Sequence, residues 1–298
     1  MNTTHTPQLP DTIRADTWLA QAWAHAQNFN DTGYIGRFAP SPSGKLHQGS
    51  LISALASYLH AHWHGGAWLV RMEDVDTSRC THATGVHQLA TLSALGFQFD
   101  EPVLWQTTRF AAYRAAFEDL YARDLIYPCT CTRSQMVSTT ATHRCTHGVD
   151  EGLPIRTWRF RGRQSVTWQE ASGQTHTQIV DDFVLKRGAV ALDEWAYQLA
   201  VVLDDAHQNI THVVRGADMW ESTARQVALQ KTLRLPTPQY NHVPLLCNAA
   251  GEKLSKSEQA PELDALNPVE ALHHAWRFLG GNGFECADVA GFWRVVLA

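Results

Sequence analysis

Apolar and polar positions alternate between strand-like runs and helix-like stripes over the first 126 residues. A short apolar run at Tyr34 and Ile35 leads into the loop Arg37-Phe-Ala-Pro-Ser-Pro-Ser-Gly-Lys-Leu-His-Gln-Gly49. Ser50–Trp63 follows, with apolar positions at helical spacing. Ala67–Met72 is a second buried-strand pattern, ending in Glu73-Asp-Val-Asp76, and helical stripes come next at Thr81–Leu95 and Phe110–Arg123. Strand–helix alternation of this kind predicts an α/β fold with a parallel sheet covered on both faces. Ligands of such sheets sit at the carboxyl ends of the strands, where Arg37–Ser43 and Glu73–Asp76 both fall. Ahead of this body, residues 1–32 are polar, with Pro7, Pro10 and a short helix expected over Ala15–Ala26. No catalytic role is assigned to that arm.

The pattern changes between Tyr127 and about Val184. Short β-like pieces at Ile155–Phe160, Ser165–Trp168 and Gln178–Phe183 read as an insertion in the α/β body. The body resumes with the apolar run Tyr197–Leu203, read as a strand, then Ile210–Val214 and a helix over Ser222–Leu233. Pro236 and Pro238 mark a turn, and the loop Ala250-Gly-Glu-Lys-Leu-Ser-Lys-Ser257 follows Pro244–Leu246. A helical tail broken at Gly280-Gly-Asn-Gly283 ends the sequence, and no internal repeat or low-complexity tract is visible. The expected organisation is an extension (1–32), the first half of a nucleotide-binding α/β domain (33–126), an inserted subdomain (127–184), the second half (185–261) and the tail (262–298).

Composition narrows the class. At 298 residues and 44% hydrophobic, the chain can bury a sizeable core. A net charge of −5 gives no overall basic character, so any RNA contact must come from a local patch or from shape. No apolar run suits a bilayer span, and the N-terminus lacks a basic-then-apolar signal segment, so a cytoplasmic protein is expected. Of six Cys, Cys129, Cys131 and Cys145 crowd together while Cys80, Cys247 and Cys286 stand alone. That distribution suggests a metal cluster in a reducing compartment rather than a disulfide framework.

The loop before Ser50 carries its own chemistry. At a helix N-terminus, free backbone N–H groups and the helix dipole favour a bound anion. Gly49 lets the backbone approach a phosphate, and His47 can donate to it; alternatively His47 is only a helix cap. Lys253 and Lys256, in a loop made mobile by Gly251, can hold phosphates as point charges.

With both loops placed, His47-Gln-Gly-Ser50 and Lys253-Leu-Ser-Lys-Ser257 resemble the two signature loops of class I aminoacyl-tRNA synthetases. Arg37–Gly44, Val70-Arg-Met-Glu-Asp74 and Val214-Arg-Gly-Ala-Asp218 are similar to the glutamyl branch, over about Gly33 to Pro261. Only Glu258–Ala298 follows the second signature, where a full glutamyl-tRNA synthetase continues into an anticodon-gripping domain. That feature, the Cys-x-Cys…Cys element and the Ser ending the first signature resemble the truncated glutamyl-Q tRNA(Asp) synthetase family.

The resemblance implies a Rossmann-like class I catalytic domain with a zinc-bearing insertion and no anticodon-binding domain. It implies a ligase that activates L-glutamate with ATP, without tRNA, then transfers it to the queuosine base at the wobble position of tRNA(Asp). Mg²⁺ is expected with ATP, although no acidic pair is identified as its holder; no membrane partner is expected, and a monomer is. His47, Gly49, Ser50 and Lys256 are expected to bind ATP, with His47, Lys253 and Lys256 as the catalytic set. Arg37, Ala39, Ser41, Glu73, Tyr197 and Arg215 are expected to line the glutamate pocket. The α-ammonium suits Glu73, the γ-carboxylate suits the guanidinium forks of Arg37 and Arg215, and Tyr197 adds a hydroxyl. Against these stand a surface acidic turn for Glu73, an ion pair with Asp218 for Arg215, and plain packing for Tyr197.

Cys129, Cys131 and Cys145 are spaced for a tetrahedral structural zinc that does no chemistry itself. The alternative is three free thiols in a loop; a structural site needs a fourth ligand, for which His143 and His147 both qualify and another residue stays open. The family often has a Tyr there, and here Ala141 stands four residues before Cys145; His143 keeps the family's distance from the first Cys and is preferred. A reduced-size glutamyl-tRNA synthetase charging the 3′ end, an adenylyltransferase of the same superfamily, and an inactive RNA- or zinc-binding relative are the rival readings. His60, His62, His64, His273, His274 and the eleven Trp are assigned no role.

Overall fold

The computed structural model describes residues 8–28, 33–132, 135, 144–149, 152–188, 193–245 and 262–298. Helix α1 (Trp18–Gln27) lies in the N-terminal arm, begun by Thr17, whose Oγ1 accepts from the Ala20 N–H at 3.3 Å. Then come β1 (Ile35–Phe38), α2 (Gln48–Trp63), β2 (Ala67–Met72), α3 (His82–Ala94), β3 (Leu104–Trp105) and α4 (Phe110–Ala122). These match the expected alternation closely, and three of the four helices start at a side-chain cap the sequence supplies, Thr17, His47 and Thr81. Thr81 Oγ1 takes the Thr84 N–H at 3.1 Å at the start of α3.

The segment expected to be an insertion spans β4 (Ile126–Cys129), β5 (Thr157–Phe160), β6 (Gln164–Gln169), β7 (Thr175–Val180) and β8 (Phe183–Arg187). Strands β4, β5 and β8 pair antiparallel, and β6 with β7 forms a separate hairpin. The piece expected at Gln178–Phe183 is instead cut in two. Asp181 and Asp182 form the bend, and the Asp182 carboxylate accepts from the Gly162 N–H at 2.9 Å and the Tyr127 hydroxyl at 2.8 Å. Acidic side chains that bind local N–H and O–H groups favour turns over strand interiors.

The chain then forms α5 (Tyr197–His207), β9 (His212–Gly216), α6 (Trp220–Leu233), β10 (Gln239–Val243), α7 (Pro268–Leu279) and α8 (Val289–Val296). The expected strand at Tyr197–Leu203 is therefore the first part of a helix. Leu199, Ala200, Val201 and Val202 are all buried, so the run has no polar face to reveal its period. The tail breaks where expected. Gly280 closes α7 at φ +118°, and a Cβ there would also strike Thr17, so only glycine fits.

All pairings among β1, β2, β3, β9 and β10 are parallel. The Thr211 N–H donates to the Ile35 carbonyl at 2.9 Å, bringing β1 beside β9 and giving the spatial order β3-β2-β1-β9-β10. Side chains alternate between two cores, as strand geometry requires. Trp68, Val70, Met72, Val214 and Val243 pack with α1, α2, α7 and α8, whereas Leu69, Val213 and Tyr240 pack with α4, α5 and α6. The order reverses between β1 and β9, which is the crevice where such sheets bind ligands. Among the described residues no helix is long and apolar enough to cross a membrane.

Candidate active site

His47 is the N-cap of α2. Its Nδ1 accepts from the Ser50 N–H at 3.3 Å, which leaves the proton on Nε2. A Cβ on Gly49 would come within 3.1 Å of the imidazole, so the missing side chain lets the ring lie against the first turn. The cap role weighed from sequence is thus real, and it places a donor tautomer at a helix N-terminus that lines the cleft.

A cleft of about 570 Å³ opens at the carboxyl ends of the strands. Arg37, Ala39 and Ser41 reach it from the end of β1, His47, Gly49 and Ser50 from the start of α2, and Glu73 from the end of β2. Tyr197 enters from the first residue of α5 and Arg215 from β9. Every expected pocket residue that the structure describes lines this one cleft. Lys253 and Lys256 lie outside the described residues.

Beneath the cleft floor sits a buried charge cluster. Asp205 on α5 accepts from Arg71 at 2.7 Å and from Arg37 Nε at 3.3 Å, and Arg71 also meets Glu73 at 3.4 Å. Glu73 is buried rather than in a surface acidic turn. Burial pushes its carboxyl up to about 7, with Arg71 and Arg37 only partly opposing. Burial acts on Asp205 in the same direction, but Arg37 and Arg71 outweigh it and hold that carboxyl below its usual range. So Asp205 is the fixed partner of the two guanidiniums, and Glu73 is left under-compensated, as a carboxylate awaiting an incoming cation would be.

Among the described residues Arg215 is held by neutral polar partners rather than by the Asp218 carboxylate. Its Nη1 donates to Gln226 at 2.7 Å, its Nη2 to Thr223 at 2.8 Å and its Nε to His242 Nε2 at 3.4 Å, and it lies 5.0 Å over the Tyr240 ring. Neutral partners fix the fork without cancelling its charge. Arg71, Asp205, Gln226 and His242 escaped sequence reasoning. Arg71 was visible in Val70-Arg-Met-Glu-Asp74, two residues from Glu73 and so on the same strand face. Asp205 was hidden because its helix was read as a strand.

In the insertion, Cys129, Cys131 and Cys145 bring their sulfurs within 4.8 Å of one another. Cys131 Sγ and Cys145 Sγ are 3.7 Å apart, against about 3.8 Å for the edge of a tetrahedron with ~2.3 Å metal–sulfur bonds. The thiols therefore fit a metal. His147 is exposed and is not part of this group, and His143 lies outside the described residues.

This fold with this cleft is that of a class I tRNA synthetase catalytic domain. A family model described as tRNA synthetases class I (E and Q), catalytic domain, matches residues 35–177 and 161–267. A glutamate tRNA ligase from Elizabethkingia meningosepticum, solved in complex with its amino acid, superposes with a TM-score of 0.64 at 25% identity. The match covers 76% of this chain and 52% of that one, so the chain spans about half the length of that ligase. The chain belongs to the glutamyl-Q tRNA(Asp) synthetase family. The protein of that name from Burkholderia mallei is 48% identical over 288 residues, 90% of this chain and 96% of the relative. The one from Janthinobacterium sp. is 44% identical over 285 residues, with 89% and 96% covered.

Proposed function

We propose that this chain activates L-glutamate with ATP and Mg²⁺, without tRNA, and passes the glutamyl group to the queuosine base at the wobble position of tRNA(Asp). The observation that carries the reading is the convergence of Glu73, Arg37 and Arg215 on the same cleft as the His47-capped helix N-terminus. In the first step an oxygen of the α-carboxylate attacks the α-phosphorus, the bond to the β-phosphate oxygen breaks, and pyrophosphate leaves. No side-chain nucleophile is required; alignment and charge are.

The α-ammonium pairs with Glu73, and Arg37 and Arg215 serve the γ-carboxylate, with Tyr197 adding its hydroxyl. Ala39 and Ser41 shape the wall. His47, Gly49 and Ser50 hold the α-phosphate and adenosine side, while Lys256, with Lys253, holds the outgoing phosphates. In the second step a cyclopentenediol hydroxyl of queuosine attacks the adenylate carbonyl and AMP departs, which requires the base to be splayed from a single-stranded loop. Zinc on Cys129, Cys131 and Cys145, with His143 as fourth ligand, stiffens the insertion beside the acceptor nucleotide. The setting is the cytoplasm, and the acting unit a monomer with the domain boundaries expected from sequence.

The test is pyrophosphate exchange with ATP and a panel of amino acids in the absence of tRNA, followed by transfer to tRNA with and without queuosine. Glutamate-specific exchange and queuosine-dependent transfer are expected. Label on the terminal adenosine would favour the reduced synthetase, and loss of all exchange the inactive relative. Lys256→Ala should lower exchange by orders of magnitude with the fold intact.

A further inference from the structure

The histidines near the end of α2 are not scattered. His60 and His64, one helical turn apart, meet His25 from α1, and ligand nitrogens of the three lie within 4.8 Å of one another. His25 Nδ1 and His64 Nε2 are 2.9 Å apart. Small ring rotations bring such a spread to the ~3.3 Å edge expected for ~2.0–2.1 Å metal–nitrogen bonds. None of the three lines the synthetase cleft.

Two of the three rings carry hydrogen bonds of the kind that orient metal-bound imidazoles, whereas the hydrogen bond from His25 Nδ1 to His64 Nε2 is one that an ion would replace. His64 Nδ1 lies 2.6 Å from the His60 carbonyl, which can only accept, so Nδ1 carries the proton and Nε2 a lone pair. His60 Nδ1 lies 2.8 Å from the Tyr34 hydroxyl. The fully buried His60 ring leaves its Nε2 without a hydrogen-bond partner. Donation from His60 Nδ1 to Tyr34 frees that Nε2 lone pair for a cation and removes the orphan. A ligand nitrogen whose partner ring nitrogen donates to a nearby oxygen is the usual way a metal-binding imidazole is oriented.

We propose that His25, His60 and His64 form a three-imidazole site for a borderline divalent transition-metal ion such as Zn²⁺, separate from the Cys129/Cys131/Cys145 cluster, clamping α1 onto α2. Metal binds the neutral imidazole, and burial disfavours the protonated form of all three rings. Three nitrogen donors with no thiolate select zinc, copper or nickel over magnesium or calcium. The ion would be structural, joining the N-terminal arm to the helix whose far end caps the cleft.

The full chain is dialysed against Zn²⁺ and its metal content compared with the His25→Ala/His64→Ala variant; Co²⁺ substitution is followed by absorption. The wild type should retain one more metal equivalent than the variant. Its Co²⁺ form should carry visible ligand-field bands that the variant lacks, while the thiolate charge-transfer band of the cysteine cluster persists in both. Pyrophosphate exchange should be unchanged. His25→Gln, on the half-buried ring, gives the same comparison if the double variant fails to fold, with circular dichroism as the control. Equal metal content and identical Co²⁺ spectra in folded wild type and variant would overturn the proposal.

Discussion

Glu170 Oε1 accepts from His242 Nδ1 at 2.8 Å, tying the tip of the β6–β7 hairpin to β10. The imidazole in turn accepts from Arg215 Nε at 3.4 Å, so an insertion carboxylate sits two hydrogen bonds from the cleft. Burial and Arg215 together lower the proton affinity of His242 despite Glu170, keeping the ring neutral and able to accept. Glu170→Ala should therefore loosen Arg215 and raise KM for glutamate about tenfold, roughly 1.4 kcal/mol, with a smaller change in kcat. Glu170→Gln keeps an acceptor for His242 and should recover most of the loss. Exchange kinetics at varied glutamate decide it, and an unchanged KM in Glu170→Ala would sever the hairpin from the pocket.

Glu73 should make both stability and binding depend on pH. Its folded value of about 7 lies above the ordinary 4.5, so the folded state holds a proton that the unfolded chain releases between those two values. Stability from this group is fully present below pH 4.5 and is lost as pH rises through 7, a penalty of about 3 kcal/mol at ~1.4 kcal/mol per unit. Glu73→Gln should accordingly raise the melting temperature at pH 8 by several degrees and do little at pH 4.5. The same variant should lose roughly 100-fold or more in glutamate activation, since the ammonium loses its anion. In the wild type, KM for glutamate should climb as pH drops below 7. A variant less stable than wild type at pH 8 would show that the burial penalty has been misassigned.

How far these residues could be read from sequence depends on the range of the interaction. Arg37, His47 and Glu73 were legible because each sits at the end of a locally coded strand or the start of a capped helix, and Cys129 with Cys131 because two thiols one residue apart are a local pattern. Asp205 was not, because the helix carrying it opens on four consecutive buried apolar residues, Leu199–Val202, which read as a strand. Glu170 and His242 were not, because their meeting is set by where a hairpin lands, 72 residues away in sequence. The three histidines fail for a similar reason. His60 and His64 share a helix face, but nothing local says that His25 comes to meet them.

In the proposed reaction His47 has two jobs, capping and phosphate binding, that one substitution separates. Asparagine is as good an N-cap as any side chain, so His47→Asn should preserve the acceptor for the Ser50 N–H and shift the melting temperature by no more than a degree or two. It removes the Nε2 donor, and pyrophosphate exchange should fall by about 100-fold, the usual effect of deleting one donor to a transition-state oxygen. His47→Ala should lose both, adding about 1 kcal/mol of destabilisation. Full exchange in the Asn variant would make His47 a cap and nothing more.

Metal on the cysteine cluster should matter to the second step alone. Cys129 and Cys145 are buried beside Tyr127, in a small apolar cluster apart from the two sheet cores. The strand carrying Cys129 pairs with β5 and through it with β8, but none of the three thiols lines the cleft. Cys145→Ser should thus abolish the thiolate charge-transfer band of the Co²⁺-substituted protein and loosen the insertion. Glutamate-dependent pyrophosphate exchange should stay within about twofold of wild type, while transfer to queuosine-containing tRNA should drop at least tenfold. Single-turnover transfer from preformed adenylate separates the two steps. If exchange and transfer fall together, the cluster supports the catalytic body itself rather than the acceptor side.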